Sequence, residues 1–140
     1  MKVLIIVRGF PGSGKSLLIT DILSIARNDE TTQISLDQYR DHHYQPSTDD
    51  WKNWRHQAEV ECEKQMVCGK PLIFVHGVFS VYWEFRQFRK LASSYGYRIH
   101  ELVVENRHGG KSVHTIPPEA MERIRRVFEI RLEPQPERNP

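Results

Sequence analysis

Val3-Leu4-Ile5-Ile6-Val7-Arg8-Gly9-Phe10-Pro11-Gly12-Ser13-Gly14-Lys15-Ser16 decides how this chain is read. The run Val3 to Val7 is apolar at every position, as expected of a strand buried on both faces of a parallel sheet. Gly9 to Ser16 then spells G-x-x-x-x-G-K-S, and Lys15 to Ala26 follows as a helical segment. Strand, glycine-rich turn and helix in that order form a phosphate-binding loop, because the glycines let successive backbone N–H groups turn inward without a Cβ clash. Those amides and the positive end of the next helix suit a polyphosphate. Pro11, Gly12, Ser13, Gly14, Lys15 and Ser16 are therefore the candidate residues for binding ATP. Lys15 reaches the β- and γ-phosphates, and the Ser16 hydroxyl is the candidate ligand for Mg²⁺. The motif alone does not choose between a kinase, a hydrolase and an inert nucleotide binder.

Outward from this loop, the chain alternates strand and helix. The first helix places Leu18, Ile22, Ile25 and Ala26 on one stripe. Gln33 to Leu36 is a short second strand, and the polar stretch Asp41 to Asp50 reads as a loop. Trp51, Trp54, Ala58, Cys62 and Met66 recur at helical spacing, and Gly69 and Pro71 end that helix. Leu72 to Val75 is a third strand. Ser80 is a candidate N-cap for a helix whose apolar face is Val81, Phe85, Phe88 and Ala92, stopping at Gly96. Ile99 to Val104 is a fourth strand. Pro117 and Pro118 open a last helix with Met121, Ile124, Phe128 and Leu132 inward. This alternation predicts a three-layer α/β sandwich with a mainly parallel sheet, ligands binding at the carboxyl ends of its strands.

Bulk properties set limits. The 140 residues make one domain, and 39% hydrophobic residues suffice for a packed core. The P-loop unit is expected over 1–132, with 133–140 a frayed tail. A net charge of +2 is too small to argue for nucleic acid by itself, so that case must come from local groups. Cys62 and Cys68 are six apart on one helix, about 600° of rotation, and face different directions. No disulfide is expected, and with it a cytoplasmic setting. No run approaches a membrane span.

A second signal is Asp37-Gln38-Tyr39-Arg40, directly after the second strand and so on the same sheet edge as the loop. A carboxylate there can take a proton from an attacking hydroxyl. Arg40, three residues on, can hold an acceptor phosphate or neutralise developing charge. Weaker signals have simpler readings. His42 and His43 with Asp41, Asp49 and Asp50 suit a solvated loop better than a metal site. Trp51, Trp54 and Trp83 suit core packing better than base stacking, and Arg123, Arg125 and Arg126 suit a solvated face.

Taken together, Arg8 to Ser16, Asp37 to Arg40, Tyr82-Trp83-Glu84 with Ala92 to Tyr97, and Asn106-Arg107-His108-Gly109 leading to Ile116 to Ile124 resemble the P-loop polynucleotide kinase family. These are the phage-type 5′-hydroxyl kinases and related ATPase-like domains, and the resemblance runs from about Val3 to Phe128. It implies an adenylate-kinase-like strand order 2-3-1-4 and a lid at about 106–117. It implies that Asp37 is the general base and that Arg40 contacts the acceptor phosphate. It implies that Arg107 clamps ATP phosphates and that Lys111 is a second basic lid residue. The acceptor implied is a nucleic-acid 5′ end; a nucleoside or small metabolite is the alternative, as is a catalytically weak ATP-binding module. One departure is His76-Gly77, where the family carries an acidic or amide residue and then Thr. His76 reads as a packed or solvated histidine, or one that restores a hydrogen bond. No D-x-D-x-T phosphatase segment is present.

Overall fold

In a computed structural model of the chain, residues 1–26, 30–36, 48–106 and 116–133 are described, residues 26 and 48–51 by their backbone. Four strands, β1 (Val3–Gly9), β2 (Thr31–Ser35), β3 (Leu72–Gly77) and β4 (Arg98–Val104), form one sheet in the order β2-β3-β1-β4. Every pairing is parallel, with Ile6 beside Val75 and Glu101, and Ile34 beside Val75. The helices are α1 (Lys15–Ala26), α2 (Thr48–Val67), α3 (Arg86–Tyr95) and α4 (Pro118–Val127). A 3-10 turn, Tyr82–Glu84, precedes α3. The expected fold class and strand order both hold.

Side chains alternate along β1, so its two faces build two cores. Leu4 and Ile6 join Ile34, Ile73 and Val75 under α2 and α3, which contribute Ala58, Cys62, Met66, Phe88, Leu91 and Ala92. Val7 and Phe74 pack on the other face under Ile19 of α1, with Leu18, Ile22 and Leu23 around them. The expected stripe on α1 was thus rotated. Ile25 is 83% exposed, because it lies roughly 90° from the centre of the 18-19-22-23 stripe.

Other boundaries also moved. Residues 48–50 open α2 rather than closing a loop, and β2 begins at Thr31 and ends before Leu36. Gly96 closes α3 in the left-handed conformation (φ 74°), as its sequence position suggested. Ser80 is not the N-cap of α3. Its hydroxyl donates to Glu84 Oε1 (3.0 Å) and its amide to Glu84 Oε2 (3.2 Å), and Phe85 occupies the cap position without a side-chain bond. The last helix ends at Val127, before Phe128, and buries none of its residues; Leu132 is 95% exposed. Cys62 is buried and Cys68 exposed, both as free thiols. Of the residues expected as tail, 133–140, all but Glu133 lie outside the described ones, and so do His42, His43 and Asp41.

Candidate functional site

The phosphate-binding loop leaves the carboxyl end of β1, in the middle of the sheet. Phe10 O accepts from Ser13 N (3.0 Å), and Gly14 O accepts from Leu18 N (2.9 Å), which starts α1. Gly12 and Gly14 sit at φ 82° and 98°, where other L-residues are strained. A Cβ on Gly9 would meet Ser13 Oγ at 2.6 Å and the Val104 carbonyl at 2.9 Å, so only glycine fits between β4 and the loop. A Cβ on Gly14 would meet nothing within 4 Å; this is the open side of the loop.

Two features fit a polyphosphate. Ser13 is buried, and its Oγ has no hydrogen-bond partner among the described residues. Lys15 Nζ folds back onto the loop's own carbonyls, Gly9 O at 3.0 Å and Phe10 O at 3.2 Å. An ammonium resting on carbonyls at the mouth of an amide-lined turn is poised to exchange them for phosphate oxygens. Ser16, the second residue of α1, is exposed, and its hydroxyl would be the group to hold a magnesium ion, which would supply charge neutralisation to a phosphate chain. Among the described residues no three His, Cys, Asp or Glu are grouped to hold a metal.

Sequence reasoning missed Arg8. It is 1% exposed and shares the face of Leu4 and Ile6, so its side chain enters the α2/α3 layer beside the loop. Arg8 Nε donates to Phe79 O (2.9 Å), and Nη2 donates to Glu129 O (2.6 Å) and, at 3.4 Å, to Ser80 O. Its guanidinium stacks over Phe85 and Phe128, with ring centroids at 4.6 and 4.9 Å. Burial pulls its pKa below the ordinary arginine value, and nearby Glu101, 3.8 Å from Nη1, opposes that shift. Glu101 also pairs with Arg89 and accepts from the Tyr82 hydroxyl (3.3 Å). Burial and Glu101 together push the Tyr82 phenol above its usual pKa. The signal in the sequence was a lone charge inside an otherwise apolar buried strand, which demands partners.

Of the predicted residues, Pro11, Gly12, Ser13, Gly14, Lys15 and Ser16 are brought together in this one turn. Asp37, Arg40, Arg107 and Lys111, with most of the expected lid, lie outside the described residues. His76 is buried beside Val7 and Ser35 on the face that α1 covers, so it is packed rather than solvated. Trp83 was expected in the core but is 56% exposed, with the Arg55 guanidinium 5.3 Å from its ring; Phe85 and Phe88 fill the core there instead. Among the described residues no helix is long and apolar enough to cross a membrane.

A parallel 2-3-1-4 sheet with this loop after its third-ranked strand is the P-loop kinase-like α/β fold. The chain belongs to the AAA domain family, whose sequence profile matches residues 4–109. No curated protein sequence matches it. Among solved structures it is similar to a chain of the Pnkp1/Rnl/Hen1 RNA repair complex (16% identity, TM-score 0.68, covering 91% of this chain and 44% of that one). It is similar to Chaetomium thermophilum Kti12, solved with ADP-AlF3 (18%, 0.64, 91% and 80%). It is also similar to a gluconokinase from Sinorhizobium meliloti 1021 (16%, 0.61, 91% and 75%). The chain spans less than half the length of the RNA-repair protein and 59% of a candidate kinase from Chloroflexus aurantiacus.

Proposed function

We propose that this chain is a magnesium-dependent ATP phosphotransferase whose acceptor is the 5′-hydroxyl end of a nucleic acid. The observation that carries the reading is the loop itself: an open side at Gly14, an orphaned buried Ser13 Oγ and Lys15 resting on exchangeable carbonyls. The nucleic-acid acceptor draws its support from the sequence resemblance and from likeness to a chain of an RNA repair complex.

In this reading the acceptor oxygen attacks the γ-phosphorus in line. The new O–P bond forms as the bridging β–γ bond breaks, and the electron pair leaves on ADP. Asp37 takes the hydroxyl proton, and Arg40 holds the acceptor's phosphate. Lys15 and Arg107 stabilise charge on the transferring group, with Lys111 beside them. Magnesium, held through Ser16 and phosphate oxygens, would neutralise charge on the phosphate chain.

The test is transfer of labelled γ-phosphate from ATP to 5′-hydroxyl DNA and RNA oligonucleotides. Transfer supports the proposal. Turnover confined to small alcohols or nucleosides replaces the acceptor with a metabolite, a reading to which the gluconokinase likeness lends weight. Buried His76, standing where the resemblance leads one to look for an acceptor-orienting polar residue, favours a third outcome: ATP binding by calorimetry with no turnover on any acceptor, the mark of a nucleotide-binding module.

A further inference from the structure

Helix α4 buries none of its residues, yet it is fixed in place at its carboxyl end. Glu129 N donates to Ser80 O (2.6 Å), Glu129 O accepts from Arg8 (2.6 Å), and the Phe128 ring lies against the Arg8 guanidinium. Arg8 is the residue before Gly9, so α4 is tied to the strand that feeds the phosphate-binding loop. Four positions before Glu129, the Arg125 guanidinium stands 5.4 Å from the centre of the Phe10 ring. Phe10 is the second residue of that loop.

The end of the loop marked by Phe10 is identifiable. The lysine of such a loop serves the β- and γ-phosphates. Lys15 Nζ sits on the carbonyls of Gly9 and Phe10, so the terminal-phosphate end borders Phe10. Arg125 therefore stands on the ring of the residue whose carbonyl borders that end. Arg123 and Arg126 lie about 200° and 100° around the helix from it and are exposed. The partner of Arg125 in this state is Glu122, and both side chains are 63% exposed. An ion pair so exposed contributes little and is readily exchanged. A cation over an aromatic face is likewise a modest restraint. A phosphate offering several oxygens to a planar five-donor fork outcompetes both.

We propose that Arg125 is a catalytic residue that clamps the terminal phosphate of the bound nucleoside triphosphate. On binding, its guanidinium leaves Glu122 and donates N–H bonds to the γ-phosphate oxygens, and the anchor at Arg8 and Glu129 keeps α4 within reach. The proposal rests on the reading of the loop as an ATP site and adds a residue to it.

Calorimetry with the full chain and magnesium, using ATP and ADP in parallel, tests it. Arg125→Ala is expected to weaken ATP by about 10-fold or more, the scale of a lost charge-assisted bond, while ADP changes by less than about 3-fold. Arg125→Lys should recover part of the ATP affinity, and Arg123→Ala should leave both nucleotides within about 2-fold. Arg125 is exposed, so circular dichroism of each variant should match the wild type. Equal losses for ATP and ADP, or no loss for either, overturn the clamp and leave the loop reading standing. A wild-type chain that binds neither nucleotide overturns both.

Discussion

Arg8 donates from Nε to the carbonyl of Phe79, 2.9 Å away, and Phe79 holds a backbone φ of 43°. A bulky residue in the left-handed region costs of order 1–3 kcal/mol and persists only where its surroundings over-determine it. Here the Phe79 ring is buried edge-on against Phe85 and Phe88, with centroids at 5.6 and 5.8 Å, while its carbonyl is taken by a buried cation. The next residue along β1, Gly9, donates to Val78 O at 3.4 Å. The loop after β3 is thus shaped by the strand that feeds the phosphate site.

Removing the cation should be expensive. Arg8→Met leaves the Phe79 and Glu129 carbonyls without their donor and Glu101 without one of its charges, for a loss of about 3–5 kcal/mol. Arg8→Lys should lose less, because an ammonium satisfies some acceptors but not the forked set. Urea denaturation measures both; losses under about 1 kcal/mol for each would show that the guanidinium anchors nothing.

The loop glycines should fail for different reasons. Gly14→Ala places a Cβ in open space but at φ 98°, so the strain is in the backbone. Gly9→Ala drives a Cβ onto Ser13 Oγ and the Val104 carbonyl, an overpacking cost of about 1–3 kcal/mol. Both should abolish detectable ATP binding, with Gly9→Ala also lowering the thermal midpoint. An alanine at 9 that binds ATP normally would show that β4 and the loop part without cost.

Separating binding from chemistry is possible within the proposed machinery. Lys15→Ala should weaken ATP binding and slow transfer together. Asp37→Asn should keep ATP affinity and reduce the transfer rate by a factor on the order of 10² to 10⁴. Calorimetry beside a transfer assay reads both; an Asp37→Asn variant with full rate removes that residue from the role of base.

The two thiols should react very differently. Burial pushes the Cys62 pKa up to about 12, so it stays a protonated, inaccessible thiol at neutral pH. Cys68 is exposed. Iodoacetamide at pH 8 should label the folded chain once, at Cys68, and a second time only in denaturant. Peptide mass mapping of labelled native protein decides this, and early modification of Cys62 would mean that α2 opens readily.

Glu84 gives a pH signature. Burial raises its folded pKa above the unfolded value, although both bonds from Ser80 oppose the shift. The folded state therefore holds this proton more tightly than the unfolded chain. The resulting stabilisation is fully present below the unfolded carboxylate pKa and is lost as pH rises through the folded one. The stability of the wild type relative to Glu84→Gln should accordingly fall as pH is raised from about 4 to 7. Denaturant titrations at several pH values measure the difference; a wild-type advantage that grows with pH would mean that the Ser80 bonds outweigh burial.

Much of this architecture is written locally. The apolar run of β1, the glycines at φ 82° and 98°, Gly96 closing α3 and the alternation of strand and helix each depend on residues near one another, and each was legible. The P-loop residues follow for the same reason, since consecutive positions build the turn. The rotated stripe on α1, exposed Trp83, the displaced role of Ser80 and the early end of α4 were not legible. Each turns on which neighbour from another part of the chain occupies the space.

The amino-acid sequence alone therefore settled the strand-loop-helix unit and the type of sheet, because backbone propensity and side-chain period act over a few residues. Only the folded chain decided what Arg8 does. Its acceptors, Phe79 O and Glu129 O, lie 71 and 121 positions away, and a cation buried between sheet and helices can be satisfied only by groups that packing brings to it.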